Sequence, residues 1–125
     1  MTATNDWLIW TDDLALQTEL RSAASALGEQ QPRLRFVAEH RGLLEAIRSR
    51  PPDLVLTPFG DVPEDVSRLA REMSTYSPVI PVAAIFRPNG FRDDVSESSV
   101  LIEAMRAGAR DFLRRPISMS ELRIL

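Results

Sequence analysis

The sequence predicts an α/β fold: a three-layer (βα)5 doubly wound sandwich around a parallel five-stranded sheet of order 2-1-3-4-5. Three observations carry the prediction. Five short apolar runs alternate with five stretches of helical periodicity. That alternation implies parallel strands joined by right-handed helical crossovers. Two of the runs, "DLVL" (53–56) and "VIPVAAIF" (79–86), are continuous rather than alternating, as in strands buried on both faces. Finally, 125 residues, 44% of them apolar, suffice for one domain with a full core and not for two.

Each element has a local reason. "WLIW" (7–10) is a first strand closed by Thr11-Asp12-Asp13, with Trp7 and Trp10 expected in the core. Leu16, Leu20, Ala23, Ala24 and Leu27 then recur at helical spacing, with Asp12 or Asp13 as N-cap and Gly28 as the stop. "RLRFVA" (33–38) alternates as a strand. "RGLLEAIRSR" (41–50) is a short amphipathic helix ended by Pro51-Pro52, with His40 an exposed capping residue at its start. "DLVL" is the third strand. "PEDVSRLAREMSTY" (63–76) opens with proline and acids, both suited to a helix N-terminus.

"VIPVAAIF" is the fourth strand, with Pro81 near its start. "RPNGFRDDVSESS" (87–99) is a polar loop, either a mobile surface link or a partner-binding element. "SVLIEAMRAG" (99–108) is a helix stopped by Gly108, and "RDFL" (110–113) is the fifth strand. "SMSELRIL" (118–125) opens a fifth helix that is cut short. Residues 1–125 are therefore expected to be a single domain, the N-terminal part of a longer protein.

Composition removes several function classes. There is no cysteine, so disulfides, thiol catalysis and Cys-based zinc sites are excluded. All 15 basic residues are arginine, which excludes Schiff-base chemistry on a lysine. A net charge of −3 argues against nucleic-acid binding by this domain. No apolar run is long enough to cross a membrane, and the N-terminus has no signal-peptide pattern. A cytoplasmic bacterial protein is the expectation.

Four segments carry a family resemblance. They are "LIWTDD" (8–13), "PPDLVLT" (51–57), "IEAMRAGARDFL" (102–113) and "RRPIS" (114–118). In this order and spacing the chain resembles the CheY-like (flavodoxin-like) receiver domains of two-component response regulators. Such domains accept a phosphoryl group from a histidine kinase on an aspartate beside bound Mg2+. The resemblance implies an acidic pocket at Asp12 and Asp13, either holding Mg2+ or only capping the first helix. It places the phosphoacceptor on Pro58, the switch hydroxyl on Phe86 and the family lysine on Arg115, with a cis bond to Pro116.

Proline offers no nucleophile and phenylalanine no hydroxyl, and arginine carries a wider, planar head than lysine. Arg115 can still pair with Asp12 or Asp13. The implied reading is a degenerate pseudo-receiver: a non-enzymatic signalling module without a cofactor. It would act on protein partners, or as a homodimer, through a helix4–strand5–helix5 face bearing Met105, Arg106, Arg110, Asp111 and Arg114. Three alternatives stand beside it. One is phosphorylation of a displaced acid such as Asp61, with Mg2+ on Asp12 and Asp13. Another is a small-ligand sensor using the strand-end pocket. The last is an N-terminal domain of a pilus-assembly ATPase.

Overall fold

The computed structural model describes residues 5–58, 64–87, 96–123 and 125. The strands are β1 (Asp6–Trp10), β2 (Arg33–Val37), β3 (Leu54–Pro58), β4 (Val82–Phe86) and β5 (Asp111–Arg114). They form one sheet of order β2-β1-β3-β4-β5, all neighbours parallel, as the apolar runs predict. The helices are α1 (Leu14–Ser25), α2 (His40–Ser49), α3 (Glu64–Met73), α4 (Glu97–Ala107) and α5 (Met119–Arg123).

The two-residue period of the strands divides the core. Trp7, Ile9, Leu54, Leu56, Ala83 and Ile85 face one side, where they meet Leu16 and Leu20 of α1 and Leu122 of α5. Leu8, Val55 and Val82 face the other side, against Leu43 and Ile47 of α2 and Leu69 and Met73 of α3. Ala84 belongs to a third cluster with Val66, Ala104 and Ala109, in which small residues let α3 and α4 approach the sheet. Leu8, Ile9, Leu56 and Leu69 are fully buried. Each such side chain contributes roughly 1.5–3 kcal/mol relative to exposure.

Several boundaries differ from the sequence reading, each for a local reason. Helix α1 ends at Ser25, and a 3-10 turn, Gly28–Gln30, follows, so Gly28 opens that turn rather than stopping the helix. Strand β4 starts at Val82, not residue 79. Val79 is 60% exposed, and Pro81 has no N–H to donate, although its carbonyl accepts from Val55 N at 3.0 Å. Helix α4 begins at Glu97, two residues earlier than expected, because the Ser96 hydroxyl caps it by accepting from Ser99 N at 3.2 Å. Of the loop 87–99, residues 88–95 lie outside the described residues, as does Asp61.

The N-terminal end of the sheet is tied by a polar network around Asp6, which is 8% exposed. Arg35 Nε donates to Asp6 Oδ1 at 2.9 Å. Its other nitrogens donate to the carbonyls of Ala46 and Arg50 at 3.2 and 2.7 Å. One side chain thus neutralises a buried acid and donates to two carbonyls at the end of α2.

Candidate functional site

In a doubly wound sheet the carboxyl ends of the strands form the crevice where chemistry is placed. Here that end collects Asp12 and Asp13 after β1, Pro58 at the end of β3, Phe86 and Arg87 at the end of β4, and Arg115 after β5. The strand order fixes their spacing. Strand β3 is central and lies between β1 and β4, with Pro58 in register with Ile85.

Asp13 has two jobs. Its Oδ1 accepts from the N–H groups of Ala15 and Leu16 at 2.9 and 3.2 Å, capping α1. Its Oδ2 accepts from Arg115 Nη1 at 3.0 Å, and Arg87 Nη2 stands 3.9 Å away. The buried Thr11 hydroxyl accepts from Asp13 N at 3.1 Å and fixes the approach to the cap. Asp12 is exposed and takes no part in this cluster, so the two acids expected to act together are separated.

Glu19 completes the site. It lies on α1, and both of its oxygens are engaged. Arg115 Nε donates to Oε1 at 3.3 Å, Arg115 Nη2 donates to Oε2, and Ile117 N donates to Oε1 at 3.1 Å. The Arg115 side chain is only 11% exposed. A bidentate guanidinium–carboxylate pair of this kind is among the stronger charged contacts a protein makes. The Arg115–Pro116 peptide is cis, and so is Ser77–Pro78.

The charges respond to these contacts. The Leu16 N–H and then Arg115 hold the Asp13 carboxyl below its ordinary value. Arg115, helped by Ile117 N–H, lowers Glu19 against the opposing effect of burial. Glu19, ahead of Asp13, raises Arg115 in turn.

Sequence reasoning missed Glu19. Its one signal was position: it lies nearly two turns into α1 from the acidic pair, on a helix whose first residues face the strand ends. Phe86 is buried at 5% exposure and closes β4 with a ring. Pro58 is exposed, and the side chain that follows Arg115 inward is Ile117, at 8%. Among the described residues no group of three or more His, Cys, Asp or Glu is placed to hold a metal ion.

No family model matches the chain. It is 34% identical over 117 residues to the KDP operon transcriptional regulatory protein KdpE of Escherichia coli K12, across 92% of this chain and 46% of that protein. The chain has the CheY-like α/β fold and resembles the response-regulator receiver domains. It spans less than half the length of the regulator it matches.

Solved structures repeat this α/β architecture at low identity. A CheY-like protein, tadZ, of Pseudomonas aeruginosa superposes with a TM-score of 0.68 at 19% identity, covering 97% of this chain and 89% of that one. A response regulator of Thermotoga maritima gives 0.74 at 16% identity, covering 96% and 92%. At these identities the likeness concerns the fold. Among the described residues no helix of the chain is long and apolar enough to cross a membrane.

Proposed function

We propose that this receiver is an atypical one, whose signalling does not run through aspartyl phosphorylation and which acts as a docking or dimerisation module for an output region. Pro58 carries the reading. It closes the central strand at the position where the family resemblance places the acceptor, and its ring has no nucleophilic group. Two neighbours support it. Phe86 fills the end of β4 where a hydroxyl would hold the transferred group, and Arg115 is engaged by Asp13 and Glu19.

The docking face of this reading is α4–β5–α5. Ile102 and Met105 are 48% and 61% exposed, and at i,i+3 they sit beside one another on α4. Arg106 lies on the same helix, Arg110 just before β5, and Asp111 and Arg114 on β5. Arg110 Nε donates to Asp111 Oδ2 at 2.7 Å. A small exposed apolar strip on an element next to charged residues suits a protein interface with an apolar centre and a polar rim. The stretch 104–113 favours a place ahead of a pilus-assembly ATPase, and a P-loop signature in the parent gene's product is the observation that checks it.

The deciding experiment is incubation with acetyl phosphate and Mg2+, followed by intact mass. An unchanged mass is expected. A stoichiometric phosphoryl adduct overturns the reading and favours a displaced acceptor such as Asp61. Sedimentation of the chain beside a Met105→Glu variant tests the face: any self-association should weaken in the variant.

A further inference from the structure

We propose that Arg115 serves as a built-in cation in place of the divalent metal of phosphorylatable receivers, so that the strand-end pocket excludes Mg2+. The observation is that no oxygen of either pocket carboxylate lacks a donor. Asp13 Oδ1 holds two backbone amides and Oδ2 holds Arg115. Glu19 Oε1 holds Arg115 Nε and Ile117 N, and Oε2 holds Arg115 Nη2. Mg2+ demands near-octahedral oxygen ligation at about 2.0–2.1 Å. To gain even these two ligands, at Asp13 Oδ2 and Glu19 Oε2, it would have to displace the guanidinium from both.

Charge points the same way. Asp13 and Glu19 face Arg115, with Arg87 Nη2 3.9 Å from Asp13, so two carboxylates meet two guanidinium groups. A divalent ion entering this neutral cluster would meet like charge first. The remaining acid, Asp12, is exposed and stands outside the cluster. A guanidinium is covalently tethered and stays protonated at any physiological pH. The neutralising charge is therefore permanent, where a metal ion exchanges with its surroundings.

This inference extends the reading above and fails separately from it: metal uptake without a phosphoryl adduct would overturn this one alone. The probes are Mn2+, followed by water-proton relaxation, and Mg2+, followed by thermal unfolding against NaCl of matched ionic strength. The wild-type chain is expected to leave Mn2+ relaxation at its free-ion value and to show no Mg2+-specific change in Tm. Arg115→Gln leaves two carboxylates facing one another. Its Tm should fall, and millimolar Mg2+ should restore about 4 °C of it. Glu19→Gln keeps Arg115 on Asp13 and should stay metal-free. Mn2+ uptake by the wild type or by Glu19→Gln overturns the inference. So does an Arg115→Gln chain that no divalent cation stabilises beyond matched salt. The wild-type measurement stands even if Arg115→Gln does not fold.

Discussion

Arg115 and Glu19 lie 96 residues apart and meet edge to edge, Arg115 Nε donating to Glu19 Oε1 at 3.3 Å and Nη2 to Oε2. The pair joins the segment after β5 to the middle of α1. Because Ile117 N also donates to Glu19, the start of the last helical segment is anchored to the first helix by one carboxylate.

Glu19→Ala should therefore destabilise the domain more than an ordinary surface substitution. It leaves Arg115, only 11% exposed, with Asp13 as its one acidic partner. A loss of about 2 kcal/mol is expected, tempered because the Glu19 side chain is 25% exposed. Urea unfolding measures it. A midpoint equal to wild type would mean the pair contributes nothing.

The pH dependence follows from the same contacts. Asp13 and Glu19 are held below their ordinary values of 3.8 and 4.5, so the folded state binds fewer protons than the unfolded chain in that range. Their contribution is complete above the ordinary values and is lost as pH falls through the lower folded ones. Arg115, raised from an already high value, adds no slope there. Tm should drop on acidification below about pH 4.5, and Glu19→Gln should flatten that drop.

Two glycines with positive φ should answer differently to alanine. Gly108, at φ 112°, caps α4, and a Cβ there would stand 2.6 Å from Ala70 Cβ on α3. Left-handed strain and overpacking together predict a loss of about 3 kcal/mol. Gly28, at φ 61°, has open space within 4 Å of where an alanine methyl would stand, so strain alone remains, at about 1 kcal/mol. Parallel thermal melts rank the two.

His40 is the first residue of α2 and does not cap it. Its Nε2 lies 2.8 Å from Glu72 on α3, and its ring meets Trp10 at 5.4 Å between centroids. The pair is half-exposed, so His40→Ala should cost only about 0.5–1 kcal/mol. A loss above about 2 kcal/mol would mean the α2–α3 link is worth more than surface pairs usually are.

Pro58→Asp should not by itself create a phosphoacceptor. The new carboxylate would stand in register with Ile85, at the end of a sheet whose pocket acids are already engaged by Arg115. Intact mass after acetyl phosphate treatment should stay unchanged. A phosphoryl adduct would show that position 58 alone is the limiting feature.

The strands were readable because burial on both faces leaves continuous apolar runs, as in "DLVL" and the end of "VIPVAAIF". Their order is the common doubly wound one, in which the chain switches direction between β1 and β3. The failures at Glu19 and His40 have one physical source, partners distant in sequence, whereas the boundary at Val79 was missed for the local reason that Pro81 precedes the strand. Glu19 reads as one polar residue among several on α1 until the fold brings Arg115 to it. His40 looks like a cap until α3 places Glu72 against it. Val79 belongs to an apolar run by composition, yet lies 60% exposed before the strand begins.

The edges of the sheet set limits on the company this domain can keep. Strand β2 carries Arg33 and Arg35, and β5 is four residues long and ends in the exposed Arg114. Short, arginine-bearing edges discourage another chain from adding itself as a further strand. Recognition is thereby steered away from backbone pairing and toward side-chain contacts on the helices, where a single substitution can retune a partner without disturbing the sheet.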